Sequence, residues 1–90
     1  MSNDLDRYIA ERSEIDPEFR AAYEAESALL ALIRARQAAE LTQEDVAKAL
    51  HVSQPYIAQI ERGSRPASLL LVVRYAHAVG AKIVVASKVR

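Results

Sequence analysis

Gln54, Tyr56, Gln59 and Arg62 lie close together in the chain and carry side chains suited to recognition rather than to bond breaking. A carboxamide offers a donor and an acceptor side by side. A guanidinium suits anions, and a phenol joins an apolar ring to a polar tip. Reaction chemistry has far less to work with. The chain lacks cysteine, which removes disulfides and the usual structural zinc sets. His51 and His77 are too far apart in sequence for a local metal pair. No nucleophile–base pair or phosphate loop is evident, so a non-enzyme without metal or cofactor is expected.

Those side chains need a helix whose start is exposed, and the sequence supplies one. Ser53 can cap a helix beginning at Gln54, with Pro55 tolerated in its first turn and Gly63 ending it. Helical periodicity turns Ile57 and Ile60 inward, with Val52 just before them, and leaves most of the polar set outward. Upstream, Thr42 and Asp45 form a variant capping box for a helix through Leu50 that buries Val46, Ala47 and Leu50. The turn between the two is His51-Val52-Ser53. Two short helices joined this tightly match the geometry that enters a B-DNA major groove.

The flanks are read in the same way. Leu5, Tyr8, Ile9 and Arg12 have helical spacing, which predicts a short amphipathic helix over residues 4–13. Asp16-Pro17 is an N-cap followed by proline at the first helical position, opening a helix to about Ala39. Its wide apolar face, with Phe19, Ala22, Tyr23, Leu30 and Ile33 beside Ala25, Ala28, Leu29 and Leu32, needs more than one neighbour. Ser68 caps a further helix to Val79, closed by Gly80. Leu69 to Val73 is apolar all round, so this helix is expected to face both the core and a second subunit, with Leu70 and Leu71 at the interface. Ala81 to Ala86, with Ile83, Val84 and Val85, reads as a short β-strand. It has no ladder partner in this chain, which points to pairing with a second copy or another protein.

Ninety residues make one small domain at most. The formal net charge of zero hides a split. Residues 1–26 carry eight acids and three bases, and the remainder nine bases and four acids. The expected organisation is an acidic arm over 1–26, a DNA-binding domain over 27–80 and a strand and tail over 81–90. The arm could serve only solubility, or it could hold a partner. Neither a signal peptide nor a membrane-length apolar run is seen, so a cytoplasmic location is expected.

The stretch Leu41-Thr42-Gln43-Glu44-Asp45-Val46-Ala47, then Val52-Ser53-Gln54, Ile57 and Ile60-Glu61-Arg62-Gly63, resembles the Cro/Xre class of phage-repressor-like helix-turn-helix domains. The resemblance covers Leu29 to Val79. It implies a mostly α, five-helix lambda-repressor-like domain, here with an N-terminal helical arm and a short C-terminal strand. Gln43 and Ser53 would lie at the helix starts facing DNA. Gln54 and Gln59 would read bases, Tyr56 a methyl or the backbone, and Arg62, Ser64 and Arg65 phosphates. Arg36 and Glu61 would form a structural ion pair. Outside such a motif a surface glutamine is ordinarily just solvated, and His77 is a packed or rim histidine of its helix. The chain departs from the family at His51 and Glu40, where glycine is frequent and a left-handed backbone is expected.

The acidic segment ending Asp16-Pro17-Glu18-Phe19-Arg20 ahead of such a domain resembles HigA-like antitoxins of type II toxin–antitoxin pairs. That resemblance implies a homodimeric repressor of its own operon that masks a small basic RNase toxin. Leu5, Tyr8, Ile9, Phe19 and Tyr23 would anchor the toxin amid acidic charge, unless these aromatics close the domain's own core. A free-standing phage-type or metabolic repressor, and an interaction module that no longer binds DNA, are the alternatives.

Overall fold

The computed structural model describes Leu5, Arg7 and residues 16–85. These residues form four helices: α1 (Pro17–Ala38), α2 (Gln43–Leu50), α3 (Gln54–Arg62) and α4 (Leu69–Ala78). Each helix starts on a side-chain cap. Asp16 accepts from the backbone N–H groups of Glu18 and Phe19, Ser53 from Tyr56, and Ser68 from Leu71. Thr42 and Asp45 close a reciprocal capping box on α2. The Asp45 carboxyl lies below its usual range, held there first by the Thr42 backbone hydrogen bond.

All four helices end alike. In each, an N–H reaches back five residues: Leu41 to Arg36, Val52 to Ala47, Ser64 to Gln59, and Ala81 to Ala76. A residue of positive φ precedes each of these donors, namely Glu40 and His51 (both 60°) and Gly63 and Gly80 (both 77°). These closures satisfy carbonyls that a helix end leaves open, and they reverse the chain sharply enough for short helices to pack.

The core draws on every helix: Leu32 from α1, Val46, Ala47 and Leu50 from α2, Ile57 and Ile60 from α3, and Leu71, Tyr75 and Ala76 from α4, with Val79. α2 packs on α3 and α4, and α3 also meets α1. α1 runs unbroken through residues 26 and 27, and only its C-terminal half enters the core. Its earlier turns expose Ala22, Tyr23, Ala25 and Ala28.

Two expectations need adjustment, and a third lies mostly outside the described residues. Leu71 is a core residue, since it lies one turn before Tyr75 on the buried stripe of α4, so it cannot serve a second copy. Leu69 and Leu70 are the exposed leucines instead. Residues 81–85 form no strand, because among the described residues no extended segment lies alongside to complete a ladder. The expected first helix falls mostly outside the described residues; Leu5 and Arg7 there have helical backbone and exposed side chains. The five-helix count is thus four among the described residues.

Candidate nucleic-acid interface

The tight α2–α3 turn brings the starts of both helices to one side of the domain. Gln43, the first residue of α2, and Gln54, the first of α3, touch: Gln54 Nε2 donates to Gln43 Oε1 at 2.7 Å. Gln54 is exposed, while Tyr56 and Gln59 are half-buried along the same helix. The Ser53 oxygen accepts from the Tyr56 N–H as the α3 cap, which leaves its O–H as a donor. Arg65 folds back from the loop after α3, its Nε donating to Gln59 Oε1 at 2.9 Å and its guanidinium lying 5.1 Å from the Tyr56 ring centroid. The Ser64 hydroxyl donates to the Gln59 carbonyl. Arg62 is exposed in the last turn of α3.

Beneath this surface Arg36 of α1 meets Glu61 of α3, with Nε 2.8 Å from Oε2 and Nη2 3.0 Å from Oε1. The two side chains are 12% and 6% exposed, so the pair is largely screened from water. Arg36 Nη1 also donates to the Leu41 carbonyl in the turn before α2. Glu61 accepts two further hydrogen bonds, from Gln43 Nε2 at 3.0 Å and from the Tyr75 hydroxyl. Burial pushes the Glu61 carboxyl up, but the hydrogen bonds from Arg36, Tyr75 and Gln43 and the Arg36 charge prevail and hold it below the usual range. Burial, then the hydrogen bond to Glu61 and its charge, push the Tyr75 phenol well above its ordinary value.

Tyr75 and Arg74 are absent from the residues that sequence reasoning singled out. Arg74 Nη2 donates to the Leu50 carbonyl at 3.0 Å and so closes the α2 terminus from the side. The only sequence signal for Tyr75 is a polar-tipped ring in an otherwise apolar helix, whose hydroxyl must find a buried partner. Phe19 is half-buried on α1, Tyr23 is 41% exposed and Leu5 64%; Tyr8 and Ile9 lie outside the described residues. Leu70, Ile83, Val84 and Val85 are all exposed.

The arrangement can present carboxamides, a phenol and guanidinium groups to a groove, and it holds no group of three or more metal-ligating side chains among the described residues. The Helix-turn-helix family model matches residues 32–84, more than half of the chain. This chain is a helix-turn-helix protein of the Cro/Xre class. The helix-turn-helix is a DNA-binding domain, and α3 is its second helix. The helix-turn-helix protein is also similar to proteins named Antitoxin HigA1 from two strains of Mycobacterium tuberculosis. Each is 36% identical over 87 residues, which covers 92% of this chain and 58% of the relative. The chain therefore spans little more than half the length of these curated relatives. No solved structure matches it significantly. Among the described residues no helix is long and apolar enough to cross a membrane.

Proposed function

We propose that this helix-turn-helix protein is the antitoxin of a type II toxin–antitoxin pair, a cytoplasmic homodimer that represses its own operon and neutralises a small basic RNase. The DNA half is supported by the polar row on α3, which starts at the exposed Gln54 and ends at the exposed Arg62. Gln54, steadied by Gln43, and Gln59 read base edges, Tyr56 a methyl or the backbone, and Ser53, Arg62, Ser64 and Arg65 hold the sugar–phosphate strands. A dimer sets two such helices about one helical turn of DNA apart.

The antitoxin half is supported by the likeness to Antitoxin HigA1, which extends through nearly the whole chain rather than the helix-turn-helix alone. The acidic segment 1–26 suits a basic partner, with Leu5, Tyr8, Ile9, Phe19 and Tyr23 as apolar anchors. The dimer uses Leu70 and the Ile83–Val85 run, which are exposed in a single chain. The segment 81–86 gains its ladder by pairing across the two copies.

Co-expression with the adjacent reading frame tests the antitoxin role. The tagged chain is expected to retain a small basic protein and to lose it when residues 1–26 are removed; a clean pull-down overturns this half. A mobility shift on the chain's own promoter tests the other. Gln59→Ala is expected to cost about 1–3 kcal/mol on the operator and little on unrelated DNA. Equal losses on both would refute base reading at that position.

A further inference from the structure

The hydrogen bonds around Glu61 have a direction that chemistry alone decides. An ionised carboxylate only accepts, and a guanidinium only donates. Because Glu61 Oε1 takes a hydrogen bond from Gln43 at 3.0 Å, the Gln43 side chain must point its amide nitrogen inward and its oxygen outward. That oxygen lies 2.7 Å from the end of the Gln54 side chain, so Gln54 must in turn donate to it. A free carboxamide can rotate by half a turn and exchange its donor and acceptor. Neither glutamine can do so here without setting oxygen against oxygen. Gln54 therefore keeps an unspent Oε1 and one amide hydrogen, in a fixed order, at the exposed start of α3.

We propose that Glu61 is a positioning residue for base reading, which acts through Gln43 to fix the donor–acceptor order of Gln54 and so selects adenine at the base pair that Gln54 faces. This rests on the DNA-binding reading above. Adenine presents a donor at N6 beside an acceptor at N7, which the fixed carboxamide matches in one orientation and opposes in the other. Arg36 and Tyr75 serve the same end by holding the carboxylate from the side of α1 and α4.

Base preference, measured by selecting bound sequences from a randomised operator library, tests the proposal. The wild-type chain is expected to show one position with a strong adenine preference. That preference falls roughly tenfold in both Gln43→Leu and Glu61→Gln, while the preferences at other positions and the affinity for unrelated DNA stay near wild type. Glu61→Gln substitutes a carboxamide that can donate or accept, so the order is no longer imposed. A Gln43 that merely touches phosphate would instead lower affinity on all sequences alike, and that result overturns the proposal. So does relaxation in Gln43→Leu with full preference kept in a folded Glu61→Gln. Should Glu61→Gln unfold, the side-chain amide order of the free wild-type protein by NMR replaces it. Gln54 is expected to be clearly more rigid than the exposed Gln37 and to lose that rigidity in Gln43→Leu. Equal mobility of Gln54 and Gln37 overturns the proposal. A wild-type chain that retains no DNA overturns the DNA-binding reading first, a failure distinct from an unchanged base preference in the variants.

Discussion

Arg62 is an exposed guanidinium with no acid to neutralise it on its own helix face, in contrast to Arg36, which is committed to Glu61. Arg62→Ala is expected to lower the slope of log affinity against log salt by about one unit, whichever DNA is used. Equilibrium titration at several salt concentrations checks this, and an unchanged slope removes Arg62 from the phosphate contacts. Arg36→Ala acts on the fold instead. It strands a carboxylate whose side chain is only 6% exposed, at a cost on the order of 3 kcal/mol in denaturant unfolding. The same carboxylate sets an acid limit. Its native value is lowered, so as pH falls through the ordinary carboxylate range unfolded chains take up a proton that folded chains still refuse. The stability that Glu61 gives at neutral pH therefore declines in that window and is fully lost below the native value. Glu61→Gln flattens this part of a plot of thermal midpoint against pH; an unaltered acid limb would show that other groups, such as Asp45, carry it. The polar row on α3 was legible in the sequence because caps and periodicity determine which residues face out. The Gln43–Glu61 and Tyr75–Glu61 contacts were not, because they join residues on different helices and no local spacing encodes them.

At the level of elements, the four helices were legible to within a residue or so wherever a cap and a stop flank them. Asp16-Pro17, Thr42 with Asp45, Ser53 and Ser68 open the helices, and positive-φ residues close them. α4 was harder: Leu69 to Val73 is apolar at every position, so periodicity cannot say that Leu71 faces in while Leu69 and Leu70 face out. The closing turns make a matched pair of predictions. Glu40 adopts a left-handed backbone that costs a non-glycine residue about 1 kcal/mol, so Glu40→Gly is expected to stabilise the domain by about 0.5–1 kcal/mol. Gly63→Ala does the reverse by a similar amount. A methyl there meets nothing within 4 Å, so the loss comes from backbone strain and not from a clash. Urea midpoints check both, and a stabilised Gly63→Ala would contradict the strain account.

For the molecule as a whole, the unfinished surfaces lie at both ends of the described chain. The first turns of α1 extend beyond the core, and Leu69, Leu70, Val84 and Val85 are each at least two-thirds exposed. The segment 81–86 could not be judged from sequence because a strand is defined by its neighbour, and that neighbour belongs to another chain in the proposed dimer. Ending the chain after Gly80 is expected to weaken the dimer while leaving α1–α4 folded. Analytical ultracentrifugation checks this, and an undiminished dimer would remove the segment from the interface. Lastly, Glu61 stands on α3 and is held by Arg36 of α1, Gln43 of α2 and Tyr75 of α4, so one carboxylate joins all four helices from α1 to α4. Peeling away α1, α2 or α4 strips that carboxylate of a partner. A half-assembled domain that still binds DNA is therefore energetically disfavoured, and on heating or acidification DNA binding and fold are expected to vanish together in one transition.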